Sequence, residues 1–246
     1  MGIPEFSIII PVLNEEKLLK SLSSNLLEVV KNSKHTAEVI IADGGSSDNS
    51  TSIGLKFADK VVNAKFGEIN NIASGRNAGA NVACGNYLIF CNADVIFDDV
   101  EKVLNQVHDI FEKDKKLIAV AAWVDTFPSE EKLIDVIFHN FYNYYFRFLN
   151  FLRLGMGRGE CIIVKKDAFI KAGSFDRTLP AGEDFELFNR LIKLGKVLYS
   201  KEIKVFESPR RFRKSGYLRV TLLWTSNALS IMFRKKTISS EWKPVR

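Results

Sequence analysis

Three segments of the sequence carry carboxylates in settings where a carboxylate can do chemistry. Asp43 enters a Gly-Gly-Ser-Ser turn, Asp94 ends the tripeptide Asn-Ala-Asp, and Asp184 follows Glu183 at the start of an apolar-periodic segment. A carboxylate can accept hydrogen bonds from a base or a ribose, bind Mg²⁺ together with substrate phosphates, or take a proton from a hydroxyl. The sequence therefore offers a candidate residue for each of these tasks.

Each of these carboxylates also has an ordinary structural explanation. Asp favours turns, so Asp43 can serve its own turn. Asp94 can be a loop residue that precedes the helix-capping pair Asp98-Asp99. Acids in the first turn of a helix, such as the Glu183-Asp184 pair, are favoured by the helix dipole. Residue type alone does not separate the two explanations, so the positions of the residues in the fold must decide.

The elements that carry these residues are predicted from short apolar runs. Runs typical of strands buried on both faces occur at Phe6–Pro11, Glu38–Ala42 and Asn86–Cys91. Repeated strand-helix-strand order predicts a mainly parallel sheet covered by helices. Ligands bind at the carboxyl ends of strands in such sheets. The polar residues that follow the strands should therefore meet at one edge: Asn14, Glu15, Asp43, Asn92 and Asp94.

The other elements are predicted from periodicity and from glycine positions. Helices are predicted over 15–32, 70–84, 100–113, 166–172 and 183–194, and strands over 117–124 and 160–164. An aromatic-rich stretch at 133–154 precedes a loop at 155–159 whose glycines predict flexibility. In the segment Gly-Arg-Asn-Ala-Gly, the glycines Gly75 and Gly79 indicate close backbone packing, because each costs a helix about 1 kcal/mol. Arg76 between them could contact a phosphate, organise the carboxylates, or lie at the helix surface.

Taken in order, these segments resemble the family-2 glycosyltransferases. The matching segments are 7–15 (SIIIPVLNE), 39–48 (VIIADGGSSD), 75–79 (GRNAG), 92–94 (NAD), and the stretch from 159 through 173–176 (GSFD) to 182–184 (GED). Each motif is weak alone, but five in series, with family-like spacing from about Phe6 to Gly195, are specific. The resemblance implies an α/β fold of the GT-A (Rossmann-like) type, with a mixed, mainly parallel central sheet flanked by helices.

The resemblance also implies a function and a set of site residues. It implies a hexosyltransferase-type enzyme that moves a sugar, with inversion, from a UDP- or GDP-sugar to an acceptor hydroxyl on a lipid-linked glycan or polysaccharide. Asp94 would bind Mn²⁺ or Mg²⁺ on the diphosphate, and Asp184, with Glu183 beside it, would deprotonate the acceptor. The residues expected to bind the nucleotide are Pro11, Asn14, Glu15, Asp43, Gly44, Arg76, Asn92 and Ala93.

One departure from the family pattern leaves alternatives open. Asn92 stands where the family commonly has the first Asp of its Asp-x-Asp motif, and Asn contributes no charge. A nucleotide-sugar-binding protein without turnover is therefore a second hypothesis. A polyprenyl-phosphate glycosyltransferase is a third. A phosphate acceptor is already ionised and hardly needs a base, so a base at Asp184 favours a hydroxyl acceptor.

The charge of the chain is concentrated at its C-terminal end. The formal net charge is +6, yet residues 201–246 alone contain 12 Lys/Arg against 3 Asp/Glu. The cluster Arg210-Arg211-Phe212-Arg213-Lys214 resembles a family motif that closes over the donor diphosphate, which makes Arg210, Arg211 and Arg213 candidates; a solvated basic loop is the alternative. The slightly acidic remainder, with no nucleic-acid-binding signature, argues against a nucleic-acid partner.

Composition also bears on membrane contact and location. The segment 217–233 is largely apolar with basic flanks, which is typical of a helix at a membrane interface. An ordinary core helix would have a similar composition. No signal peptide or spanning helix is predicted. Three isolated cysteines (Cys84, Cys91 and Cys161) predict small buried residues in a reducing compartment, and no His has metal-ligand spacing. We predict a cytoplasmic, membrane-peripheral location.

The predicted organisation is one catalytic domain with an extension. Residues 1–200 form the GT-A domain, divided into a nucleotide-binding half (1–95) and an acceptor half (96–200). Residues 201–246 form a basic, partly apolar extension.

Overall fold

A computed structural model of the chain describes residues 2–65, 70–234 and 236–237. One sheet of eight strands runs through the molecule in the order β3-β2-β1-β4-β7-β6-β8-β5. The strands are β1 (Phe6–Val12), β2 (Ala37–Asp43), β3 (Lys60–Asn63), β4 (Tyr87–Cys91), β5 (Val95–Phe97), β6 (Leu117–Thr126), β7 (Cys161–Lys165) and β8 (Lys196–Glu207). The helices are α1 (Glu16–Asn32), α2 (Ser50–Phe57), α3 (Ile72–Val82), α4 (Val100–Lys113), α5 (Leu133–Phe151), α6 (Lys166–Ala172), α7 (Glu183–Leu194), α8 (Arg210–Ser215) and α9 (Tyr217–Arg234).

The predicted fold class, a mixed and mainly parallel α/β sheet flanked by helices, is confirmed. Strand β1 runs parallel to β2 and β4, and β6 runs parallel to β8. Strand β7 is antiparallel to both β4 and β6, and β5 is antiparallel to β8. The antiparallel direction of β7 brings two segments together at the end of β4. Because Cys161 opens β7 opposite Cys91 at the end of β4, the residues before β7 lie beside those after β4.

Helix α3 packs closely on β1, as its glycines predict. A Cβ added to Gly79 would lie 2.4 Å from Ile9 Cγ2, and one added to Gly75 would lie 2.9 Å from Pro11 Cβ. No larger residue fits at Gly79 without a shift of the neighbouring strand. The close approach carries Arg76, between the two glycines, over the end of the sheet.

Three strands are absent from the sequence prediction. β3 has only four residues. β5 has only three residues, and β8 is interrupted by the charged residues Lys201, Glu202 and Lys204. In β8 buried Val197, Tyr199, Ile203 and Val205 form the apolar side of the strand. Residues 201–207 therefore lie within the central sheet. The division of the chain at residue 200 stays a prediction.

Two smaller features differ from expectation. The glycine loop 155–159 is packed rather than flexible: Met156 and Arg158 are buried, and a Cβ on Gly157 would lie 2.1 Å from Phe188 Cε2. Cys91 and Cys161 are buried as predicted, but Cys84 is exposed and accepts a hydrogen bond from Lys60 Nζ at 3.2 Å.

After β8, the basic C-terminal segment continues with two helices. The apolar stretch at 217–233 forms most of α9, and the basic cluster forms the short α8. Lys235 and residues 238–246 of the predicted basic extension lie outside the described residues. Among the described helices, none has the length and apolar character needed to span a bilayer.

Candidate active site

The loops after β1 and β2 are joined by hydrogen bonds at the carboxyl edge of the sheet. Asn14, with a positive φ of 56°, accepts the backbone N–H of Ser47 on its Oδ1 at 2.7 Å, and its own N–H donates to Ser46 Oγ at 2.9 Å. Glu15 N–H donates to Ser50 Oγ at 2.8 Å, and Gly44 N–H donates to the Val12 carbonyl at 2.8 Å. The predicted nucleotide-binding residues of these two loops thus form one rigid unit.

Asp43 is held by its own turn. Its Oδ1 accepts the Ser46 hydroxyl at 2.5 Å and the Ser46 backbone N–H at 3.1 Å, and its Oδ2 accepts the Thr51 hydroxyl at 3.0 Å. The carboxylate is 9% exposed. Since a carboxylate has about four lone-pair sites, an Asp fixed in this way can still accept a hydrogen bond from a ligand. Its neighbour Asp48 accepts the N–H groups of Ser50 and Glu16 and so anchors two helix starts.

Arg76 lies at the centre of the site and is buried, with 1% exposure. Its Nη1 donates to Glu183 Oε1 at 2.7 Å, and its Nη2 donates to Asn92 Oδ1 at 3.0 Å and to the Gly159 carbonyl at 2.5 Å. Its guanidinium also lies over the Phe175 ring at 5.1 Å. Of the three roles open to Arg76 in the sequence, these contacts support an organising role, because Arg76 joins two side chains and a backbone carbonyl from three segments.

Asp94 follows β4 at the sheet edge and is partly exposed. Its Oδ2 lies 3.0 Å from Arg210 Nη2, and both side chains are 30% exposed. Arg211 lines the same pocket, and burial lowers the pKa of its guanidinium. Arg213 points elsewhere: it donates to Asp135 Oδ2 at 2.8 Å, at the start of α5. Two of the three arginines expected at the diphosphate are therefore near Asp94, and the third is not.

Asp184 faces the pocket from the first turn of α7. Its Oδ1 accepts the backbone N–H of Phe185 at 2.9 Å, and its Oδ2 would lie 3.0 Å from a Cβ on Gly159. Burial and the neighbouring Glu183 raise the pKa of Asp184 to about 8, although Arg76 acts in the opposite direction. Glu183 itself is committed to Arg76. The two acids of the pair therefore differ: one is an ion-pair partner, and the other is a carboxyl group suited to exchange a proton near neutral pH.

A buried group of charged residues behind Asp94 is absent from the sequence prediction. Arg158 contacts Glu160 Oε2 at 3.3 Å, donates to Glu207 Oε1, and donates to His139 Nδ1 at 3.1 Å. Burial and Glu160 raise the pKa of Glu207 well above its usual range, whereas Arg158 lowers that of Glu160 despite burial. Burial and Arg158 lower the pKa of His139 to about 3, so this imidazole is neutral.

Strand pairing explains why this group adjoins Asp94. Val95 pairs with Glu207 across β5 and β8, and the Asn92 N–H donates to the Glu160 carbonyl at 3.2 Å. The sequence signal for these residues is slight, because Arg158 and Glu207 stand 49 positions apart. Only the glycines around Arg158 mark the segment. The pocket they share with Asp184 is lined by five carboxylates and three arginines: Asp94, Glu160, Glu183, Asp184, Glu207, Arg76, Arg158 and Arg211.

A second cluster of ligand-type side chains lies at the opposite edge of the sheet. His35 Nδ1 lies 2.8 Å from Glu5 Oε2, and His108 Nδ1 lies 2.6 Å from Glu5 Oε1. Glu5 and His35 precede β1 and β2, whereas Asp43 and Asp94 lie at the carboxyl ends of their strands. Sequence spacing did not reveal this cluster, because the two histidines are far apart in the chain. Its location excludes it as part of the Asp94 site.

Comparison with known proteins identifies similar sequences and similar folds. The family model described as "Glycosyl transferase family 2" matches residues 7–173. An uncharacterized glycosyltransferase of Rickettsia prowazekii is 24% identical over 213 residues, which cover 82% of this chain and 63% of the relative. An undecaprenyl-phosphate 4-deoxy-4-formamido-L-arabinose transferase of Proteus mirabilis is 33% identical over 101 residues, 38% of this chain and 30% of that protein.

A solved structure with the same fold is a mannosyltransferase from Pyrobaculum calidifontis in complex with GDP-Man and Mn²⁺. Its TM-score is 0.71 at 18% identity, and the match covers 96% of this chain and 64% of that one. The present chain therefore spans less than two thirds of the length of the Rickettsia relative and of this structure. At this identity the likeness establishes the fold alone.

Proposed function

Because this chain belongs to glycosyl transferase family 2, we propose that it transfers a sugar, with inversion, from a nucleotide diphosphate sugar to an acceptor hydroxyl. The observation that carries the proposal is the meeting of three segments at one sheet edge through Arg76. This side chain bonds Asn92 after β4, Gly159 before β7 and Glu183 at the start of α7. Asp94, which would bind the donor, and Asp184, which would act as the base, line a single pocket.

The loops after β1 and β2 are proposed to bind the nucleotide. Asp43 would accept hydrogen bonds from the base or ribose, with Pro11, Asn14, Glu15 and Gly44 forming the surrounding surface. Arg76, Asn92 and Ala93 would contribute from the next segments along the edge. The rigidity of the unit supports this role, since Asp43 is oriented before any ligand arrives and binding then orders fewer side chains. Residues 1–95 are accordingly proposed as the nucleotide-binding half, and residues 96–200 as the acceptor half.

Asp94 is the residue proposed to hold a divalent cation, Mn²⁺ or Mg²⁺. The Asp94 carboxylate already holds one positive charge, the guanidinium of Arg210 at 3.0 Å, which a divalent cation would replace at that oxygen. A partly exposed carboxylate oxygen is also the donor type that these hard cations prefer. When bound, the cation would offset negative charge on the departing diphosphate. Arg210 and Arg211 would contribute positive charge to the same leaving group.

Asp184 is proposed as the base. The acceptor oxygen attacks the anomeric carbon, the bond from that carbon to the diphosphate oxygen breaks, and the acceptor proton passes to a carboxylate oxygen of Asp184. A pKa near 8 supports this role, because a base with a pKa close to the working pH is the most effective proton acceptor. Glu183, paired with Arg76, is proposed to keep the first turn of α7 in place.

The acceptor is proposed to be a lipid-linked glycan or a polysaccharide. The Proteus relative, named an undecaprenyl-phosphate transferase, favours a polyprenyl-phosphate acceptor as a second candidate. A peripheral position at the cytoplasmic membrane face would fit either lipid-linked acceptor. The raised pKa of Asp184 favours the hydroxyl, since a phosphate oxygen needs no base.

The proposal is tested by incubating the purified chain with Mn²⁺ and a panel of UDP- and GDP-sugars and measuring nucleoside diphosphate release. Release that depends on both the metal and Asp184 is expected. Nucleotide binding with no release and no transfer to any acceptor would favour a binding protein without turnover, which is the alternative raised by Asn92. Absence of nucleotide binding would overturn the proposal.

A further inference from the structure

The outward side of α5 is apolar, although a surface helix normally turns polar residues to solvent. Phe141, Phe148 and Phe151 are 60%, 56% and 81% exposed. Of the positions classed as exposed on α5, only Arg147 is charged. The remaining exposed positions are Leu133, Ile134, Ile137, Phe141, Tyr144, Tyr145, Phe148 and Phe151. At 100° per residue they fall on one face, so the exposed stripe is continuous along the helix.

Helix α9 packs beside α5 and has exposed apolar residues of its own. Its Trp224 packs against α5, with ring centroids 5.3 Å from Tyr142 and 6.0 Å from Phe138. On its outward side Leu218, Leu222 and Leu229 are exposed, at spacings of four and seven residues. We call the exposed apolar residues of α5 and these three leucines the apolar face.

Most of the charges around the apolar face are positive, although Glu130 and Glu131 are exposed just before α5. Residues 136–159 and 208–234 contain nine Lys/Arg and no Asp or Glu. Arg147, Arg153, Lys214 and Arg219 are exposed. Asp135, which is the acid within α5, is buried and bonded to Arg213 and Tyr217. The surroundings of the face therefore present mainly positive charge to whatever approaches it.

We propose that the apolar face is a membrane-binding surface that lies in the interface of an anionic bilayer. Helices that bury an apolar side at the boundary of headgroups and acyl chains, with basic residues beside it, bind in this way. Tyr144 and Tyr145 are suited to the headgroup level because their rings are apolar and their hydroxyls are polar. The basic residues complement the negative surface potential of anionic lipids.

A second copy of the chain fits this face less well. A symmetric contact through the apolar face would place the same patch of both copies together. Arg147 and Arg219 of one copy would then meet the mainly positive surroundings of the same face on the other. An anionic lipid surface removes this repulsion.

The same two helices form a wall of the candidate active site. Phe146 of α5 and Trp224 and Asn227 of α9 line the pocket that contains Asp184. A bilayer at the apolar face would therefore lie beside the acceptor side of the pocket, and it would favour an acceptor whose lipid end stays in the membrane. This statement about the acceptor rests on the proposed function, whereas the membrane contact does not.

Vesicle flotation tests the membrane contact without nucleotide or metal, so its failure is distinct from a failure of the proposed function. The full chain is mixed with vesicles of phosphatidylcholine alone or with phosphatidylglycerol at low salt. Binding to the anionic vesicles is expected. The double variant F141S/F148S should bind at least about tenfold more weakly, because two exposed rings are lost from the face. The double variant R147Q/R153Q should lose about fivefold per charge.

The matched control is L55S/I170S, which removes two equally exposed apolar side chains from α2 and α6. It should bind vesicles as the unmodified chain does, and nucleotide binding in vesicle-free buffer should be equal in all variants. Absence of binding to anionic vesicles, or equal binding by F141S/F148S, would overturn the proposal. A dimer seen by analytical ultracentrifugation and abolished by F141S/F148S would also overturn it, because the face would then be covered by a second copy.

Discussion

The turn after β2 and the first turn of α7 both present an aspartate to the same edge of the sheet, but the two carboxylates differ in their hydrogen-bond partners and in their neighbouring charges. Asp43 accepts hydrogen bonds from Ser46 and Thr51 and is fixed by its own loop. Asp184 accepts one backbone N–H, is partly buried beside Glu183, and has a pKa raised to about 8. Desolvation and the like charge of Glu183 favour the protonated form of Asp184. The surroundings suit one aspartate to binding and the other to proton transfer.

Asp184→Asn should give the largest effect, because the change removes the proton acceptor and keeps the shape. The kcat for transfer should fall by about 10²–10⁴-fold, which is the usual contribution of a positioned base. The dissociation constant of the donor, measured by calorimetry, should change little. Glu186→Gln is the matched control: Glu186 stands in the same helical turn but is bonded to Arg190, and its loss should leave kcat near the original value.

Asp94→Asn should act on donor binding through the metal. Mn²⁺-dependent donor affinity should fall by about 10- to 100-fold, which corresponds to the loss of one interaction with a charged group. Calorimetry with and without Mn²⁺ measures the effect. Asp98→Asn, at an exposed position four residues away, serves as the control. Equal Mn²⁺-dependent binding by the Asp94 variant would remove Asp94 from the proposed metal site.

Asp43→Asn should give a smaller effect of a different kind. The amide keeps one acceptor oxygen, so the turn survives, while the charge offered to the donor is lost. Donor affinity should weaken by about tenfold with kcat nearly unchanged, which is the pattern of lost uniform binding. Steady-state kinetics separate the two parameters. A fall in kcat as large as that of Asp184→Asn would erase the distinction between the two aspartates.

Gly79→Ala tests how far the site depends on close packing of α3. The added Cβ would lie 2.4 Å from Ile9 Cγ2, so strand and helix must separate, at a cost of about 1–3 kcal/mol in the free energy of unfolding. Gly54→Ala in α2 is the control, since its Cβ would meet Ile41 Cγ1 at 3.3 Å and should cost less. Urea denaturation followed by circular dichroism compares the two. Equal stabilities would show that α3 tolerates displacement.

The sequence was sufficient for strands β1, β2 and β4 and insufficient for the buried charges. Each of these strands contains a run of apolar residues, so their ends and the polar residues after them could be located. Strand β8 alternates buried apolar residues with charged residues. Because of these charges, the sequence pattern did not separate the strand from the basic segment that follows. Consequently Glu207 went unrecognised.

The partners of Arg76 show the same limit at the level of single contacts. The sequence indicated that the glycines beside Arg76 pack closely, which the contacts of Gly75 and Gly79 confirm. It could not indicate that the guanidinium bonds Glu183, 107 residues away. The bond from Arg76 to the Gly159 carbonyl depends on the antiparallel insertion of β7 between β4 and β6, and strand direction is not encoded in the apolar pattern of a strand buried on both faces.

The pH dependence of kcat/KM for transfer tests the central claim, that Asp184 is the proton acceptor, most directly. A base must be unprotonated to act, so activity should be lost as pH falls through its pKa. The profile should rise about tenfold per pH unit and level off above about pH 8, because kcat/KM reports the free enzyme. Asp43→Asn should keep this profile, and Asp184→Asn should remove the rise. A profile that is flat from pH 6 to 9 in the unmodified protein, or a rise that persists in Asp184→Asn, would contradict the claim.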